Sequence, residues 1–167
     1  MARILRIDHV AIAVRDVDAS LATWQKVLGA ELVAREALTL QGTRTEAAYL
    51  RVGDGIVVLD GAADPEGFIR RFIDRRGEGL HHVAVVVDDL DGYVRDLEAQ
   101  GIRIPHRESL GPLRREILLS PRDLNGVVVQ VIEWAEPDAP TLEERIARLR
   151  RFLASQTASG TETGSTV

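Results

Sequence analysis

Two histidines carry the first chemical signal in this sequence. His9 stands in DHVAIAVRDVD and His82 in HHVAVVVDDLD, so nearly the same string recurs at an offset of 73 residues. Val10/Val83, Ala11/Ala84, Val14/Val87, Asp16/Asp89 and Asp18/Asp91 coincide at that offset. Imidazole suits Zn, Co, Ni, Fe and similar ions, and two imidazoles at equivalent places can share one. The chain has no cysteine, which leaves histidine, carboxylate and amide groups as metal ligands. Strand alternation puts His9, Ala11 and Ala13 on one face and Val10, Ile12 and Val14 on the other. By the same logic His81 points away from His82, and His106, beside Pro105, sits in a turn. Tyr49, Arg114 and Arg115 lie on strands near the cleft that these faces would form, and are the candidate substrate contacts.

The elements that must position these groups repeat as well. Each His strand is followed by a helical stretch, DVDASLATWQKVLGA and then DLDGYVRDLEAQGI, with apolar residues at helical spacing. Asp16 and Asp89 can cap the two helices and Gly29 and Gly101 can stop them. ELVARE is echoed by IRIPHRE, and GTRTEAAYL by PLRREILLS, which aligns Arg44 with Arg114 and Glu46 with Glu116. GIVVLD is echoed by GVVVQVIEW, a buried strand. The expectation is an α+β fold, with two tandem βαβββ modules curling eight strands around a central cleft. The modules are residues 1–62 and 80–135. Residues 63–79 form a linker helix, 136–154 a C-terminal helix with a Thr141–Glu144 capping box, and 155–167 a polar, disordered tail. The stripe Leu142, Ile146, Leu149 and Leu153 must pack on this domain or on a second subunit, which makes a homodimer the expected assembly.

Composition narrows the class. The 167 residues are 45% hydrophobic, which excludes a globally disordered chain. There is no apolar run near the ~20 residues of a membrane span, no secretory signal, and no basic block interleaved with aromatics. A cytoplasmic protein acting on a small molecule is expected, without membrane or nucleic acid as partner.

IDHVAIAVRDVDASLATWQKVLG, RRGEGLHHVAVVVDDLD and GVVVQVIEW resemble the vicinal-oxygen-chelate superfamily, which includes glyoxalase I, extradiol dioxygenases and bleomycin-resistance proteins. The nearest resemblance is to the methylmalonyl-CoA epimerase family, through RRGEGLHH, the pair Gln41–Gly42 and the two modules in one chain. It implies a divalent metal ion (Co, Zn, Ni, Mn or Fe) held by His9, by His82, by the last-strand position, here Gln130, and by a fourth-strand position, here Val57 or Val58. No valine binds a metal, so that ligand must come from elsewhere. It implies, too, a proton moved next to a carbonyl, with an acyl thioester such as an acyl-CoA as the candidate substrate. Glu46 lies near the family's base and Glu116 is its internal twin, so these two are the candidate catalytic residues. A resistance-type binding protein and an Fe(II) dioxygenase-like member are the alternatives.

Overall fold

The computed structural model describes residues 2–40, 42–136 and 138–160, so Gln41 and the tail 161–167 lie outside the described residues. The first module runs β1 (Ile4–Val14), α1 (Val17–Leu28), β2 (Glu31–Leu40), β3 (Thr43–Val52) and β4 (Gly55–Gly61). A short helix, α2 (Phe68–Arg76), leads to the second module: β5 (Gly79–Val87), α3 (Leu90–Ala99), β6 (His106–Leu110), β7 (Arg114–Leu119) and β8 (Val128–Trp134). Helix α4 (Leu142–Gly160) closes the chain. It continues past Ala154, where the polar tail was expected to begin. Among the described residues no helix is long and apolar enough to cross a membrane.

The strands form one eight-stranded sheet in the order β2-β3-β4-β1-β5-β8-β7-β6. Its two halves meet in an antiparallel β1–β5 seam, and each half pairs its first strand in parallel with its last. The two module helices start as the sequence suggests. The backbone N–H of Ala19 donates to the Asp16 carboxylate at 2.9 Å, and that of Gly92 to Asp89 at 2.8 Å. Such caps satisfy donors that a helix start leaves open. Gly29 ends α1 at φ 64°, a left-handed turn that costs glycine nothing.

Strand alternation divides the core. Ile12, Val14, Ala48, Leu50, Val57 and Leu59 pack under α1. Val85, Val87, Ile117, Leu119, Val129 and Val131 pack under α3. The opposite, concave face carries Ala11, Tyr49, Val58, Ala84, Ile132 and Trp134, and against it lies the α4 stripe. The stripe expected to seek this domain or a second subunit is thus buried within its own chain.

Candidate metal centre

His9 and His82 meet at the middle of the concave face. Their Nε2 atoms stand 3.3 Å apart and both side chains are buried. Two bulges in the seam set this geometry. Pairing jumps from Ile7↔Val85 to His9↔Ala84, leaving Asp8 as the extra residue, and from Ala11↔His82 to Ile12↔Leu80, leaving His81 as the extra residue. A bulge re-aims a side chain that alternation would send to the far face. Each bulged residue accordingly reaches the Nδ1 of its histidine: Asp8 Oδ2 lies 2.9 Å from His9 Nδ1, and His81 Nδ1 lies 2.9 Å from His82 Nδ1. The expectation that His81 faces away from His82 is therefore corrected. Its ring is half-buried and packs on Phe68 and Phe72 of α2. His106 opens β6 rather than lying in a turn, and its Nε2 is 3.2 Å from Glu108.

Gln130 occupies the equivalent of Val58. The two pair with Ala84 and Ala11, which are themselves equivalent in the repeat. The Gln130 Nε2 donates to Glu116 Oε1 at 2.8 Å, while its Oε1 is buried without a hydrogen-bond partner. Val58 lines the same cavity, and Val57 faces α1. The residue missing from the sequence reading is Asp60. It lies two places beyond Val58 on the same strand face, is buried, and lines the cavity with His9, His82 and Gln130. Ligand atoms of Asp60, His81 and His82 lie within 4.8 Å of one another. A signal was available: Asp60 is the lone charge in GIVVLD, at the inward parity of a buried strand.

These groups fit a divalent ion. Burial holds the His82 imidazole well below its ordinary 6.5, with the neighbouring His9, His81 and Arg114 adding to the effect, so it is neutral and able to ligate. Burial pushes the Asp60 carboxyl up to about 6, against the pull of His9 and Arg114. Burial also pushes Asp8 up, but the hydrogen bond and charge of His9, helped by Arg114 and Arg148, outweigh it and hold Asp8 below the usual carboxylate range. An ionised Asp8 at Nδ1 orients the His9 ring so that Nε2 faces the centre, as carboxylates behind metal-bound histidines do. Asp60 adds the negative charge that two imidazoles and an amide lack.

The two glutamates part company. Glu116 is buried on the inner face, paired with Arg114, whose Nε lies 2.8 Å from Oε2. Glu46 is on the outer face, bound to Arg35, which also holds Asp18 of α1. The cross-strand register explains this. Glu116 faces Ile132 on β8, and the matching pair in the first half is Ala47 facing Asp60. Ala47, not Glu46, is the structural twin of Glu116, and a one-residue slip reverses every side chain. Arg115 is on the outer face as well, tied to Glu133 and Asp91, and does not line the cleft. Tyr49 and Arg114 do line it. The Arg114 guanidinium sits 5.4 Å from the Trp134 ring and 5.0 Å from that of Phe152.

Comparisons with known proteins agree with this architecture. The family model described as "Glyoxalase/Bleomycin resistance protein/Dioxygenase superfamily" matches residues 8–112. The mitochondrial methylmalonyl-CoA epimerase of Bos taurus is 30% identical over 129 residues, covering 75% of this chain and 73% of that protein. The crystal structure of methylmalonyl-CoA epimerase from Mycobacterium tuberculosis is similar at 32% identity and TM-score 0.71, covering 80% of this chain and 90% of that one. A methylmalonyl-CoA epimerase solved in complex with methylmalonyl-CoA and NH4+ is 27% identical at TM-score 0.68. There, 83% of this chain spans the whole of the other, and the remainder has no counterpart.

Proposed function

Since the chain belongs to the glyoxalase/bleomycin resistance protein/dioxygenase superfamily and is an enzyme of the epimerase type, we propose that it is a metal-dependent epimerase. Its reaction would invert the carbon next to the thioester carbonyl of an acyl-CoA. The convergence of His9 and His82 at 3.3 Å, one from each half of the sheet, carries the reading.

His9, His82, Gln130 and Asp60 would hold the ion. When bound, it supplies positive charge where a thioester oxygen becomes an enolate oxygen, easing loss of the neighbouring proton. The chain's own groups do the rest. Glu116 would be the inner-face carboxylate that takes that proton, and inversion follows when the enolate is reprotonated on its opposite face. Arg114 orients Glu116 and adds charge beside a carboxylated acyl group. Gln130, held by Glu116, keeps its carbonyl oxygen toward the centre. Tyr49 and Trp134 exclude water from the inner end of the cleft. Glu46 has no part in this, because it faces α1.

Deuterium incorporation at C2 of methylmalonyl-CoA, measured beside metal content, is the test. Asp60→Asn is expected to lose metal, and Glu116→Gln to keep it while exchange falls by about 100-fold or more. Full exchange in the metal-free protein would defeat the reading. Two imidazoles with one carboxylate also make the ligand set of Fe(II) oxygenases, and Asp60 completes it. Oxygen uptake with iron bound, and no C2 exchange, would favour that second reading.

For the assembly we propose a homodimer. With the α4 stripe enclosed, the exposed apolar side chains Ile4, Ile7 and Leu80 on the β1–β5 seam remain to be covered, and the mass in solution tests it.

A further inference from the structure

The concave face, where a thioester would have to lie, is already filled by α4. Phe152 is the largest fully buried side chain of the described residues. Its ring stands edge-on to Trp134 at 5.4 Å, and it lines the cavity that holds His9, His82, Asp60 and Gln130. That cavity measures about 30 Å³. That is room for about two or three water molecules, far below the several hundred Å³ of an ordinary ligand pocket. With Phe152 in place, the cavity beside the histidines is too small for an acyl group.

The attachment of α4 differs in kind from that of the strands. The sheet is joined by continuous backbone ladders. Helix α4 is held by apolar contacts and by side chains alone: Arg145 donates to the Asp54 carbonyl at 2.9 Å, Arg150 to that of Val33 at 3.3 Å and Gln156 to that of Leu110 at 3.4 Å, and Glu143 and Arg151 pair with Arg51 and Glu136. One turn before Phe152, Arg148 is buried over the Trp134 ring at 4.5 Å. Its Nε and Nη2 make no hydrogen bond, and its approach to Asp8 is a long 3.7 Å. A buried guanidinium so poorly paired carries a desolvation cost that exposure would relieve. Because α4 shares no backbone ladder with the sheet, it can open as a unit while the sheet stays intact.

We propose that α4 is a lid. In the resting protein it occupies the acyl end of the cleft, and substrate reaches the histidines only when Phe152 and Arg148 are withdrawn. The proposal rests on the acyl-thioester reading above and adds its regulation: the apparent affinity equals the intrinsic one reduced by the fraction of open molecules.

Amide hydrogen exchange by mass spectrometry on the full chain, with and without methylmalonyl-CoA, tests it. Without ligand, α4 amides should exchange at least about tenfold faster than those of β1 and β5, and Phe152→Ala should speed α4 by about tenfold more while leaving β1 and β5 unchanged. Saturating thioester should remove the remaining α4 protection, and Phe152→Ala should bind it more tightly. Exchange of α4 at the rate of the seam strands would overturn the lid, as would bound thioester that leaves α4 protected. If neither protein binds the thioester, the epimerase reading fails, and the ligand-free comparison still decides the lid. The wild-type arms suffice if the variant does not accumulate folded.

Discussion

Asp60 and His82 differ in what a proton does to them, and that difference is measurable. A carboxyl whose folded pKa is raised, from 3.8 to about 6 for Asp60, holds its proton more tightly in the folded chain. It therefore adds stability below about pH 4 that is lost as pH rises through about 6. The histidines run the other way. Burial lowers His81 to about 4 and His82 well below 6.5, so their contribution is present above about pH 6.5 and lost as pH falls. Paired denaturation of metal-free wild type and Asp60→Asn isolates the carboxyl. The advantage of wild type over variant should shrink between pH 4 and pH 7 by up to about 3 kcal/mol, at roughly 1.4 kcal/mol per pH unit. A difference that stays flat over that range would show Asp60 ionised throughout. Asp8 makes a separate case, since it would act on a bound metal only through the His9 ring. Asp8→Asn should weaken metal binding by about 10–100-fold, the usual cost of losing a carboxylate behind a ligating histidine. Isothermal titration with Co(II) reads this directly, and unchanged affinity would assign Asp8 to packing alone.

At the scale of elements, most of the fold was legible because each strand and helix announces itself by period. The repeat of His9 and His82 revealed two modules, the aspartates marked both helix starts, and Thr141–Glu144 marked the third: the Glu144 N–H donates to Thr141 Oγ1 at 3.2 Å. Register was not legible. Matching Glu46 to Glu116 by residue type is one place out, and in a strand one place is the whole difference between cleft and helix side. Nor were the bulges, because an extra residue in a ladder leaves no composition signal. They turned Asp8 and His81 toward the histidines against simple alternation. Asp60 was hidden for a related reason: repeat symmetry pointed to Val58, and the carboxylate had moved two residues along the same face. The corrected register makes its own prediction. Glu46→Gln should leave C2 exchange within about twofold of wild type, since it alters only a partly exposed ion pair with Arg35, typically worth under about 1 kcal/mol. A loss as large as that expected for Glu116→Gln would restore Glu46 to the site and refute the outer-face assignment.

Across the whole molecule, two features tie the halves together, the β1–β5 seam and the α4 helix lying on both, and the proposed ligand set would add a third. His9 and Asp60 come from the first module and His82 and Gln130 from the second, so an ion held by all four bridges the seam at its middle. The bridge exists only in the folded chain, because the two histidines lie 73 residues apart in sequence and meet through the sheet. A ligand that binds only the folded state stabilises it by about 2.7 kcal/mol at a hundredfold excess over Kd. For a chain of this size that raises Tm by about 5–10 °C. Calorimetry with Co(II) or Zn(II) should show that rise, chelator should reverse it, and the His9→Ala/His82→Ala double variant should show none. Thiolate ligands are absent from this chain, so an equal rise in the double variant would come from carboxylates, amides or the remaining His81 and His106. It would remove His9 and His82 from the ligand set, and the two would then have to be explained as part of a buried polar network joining two copies of one module.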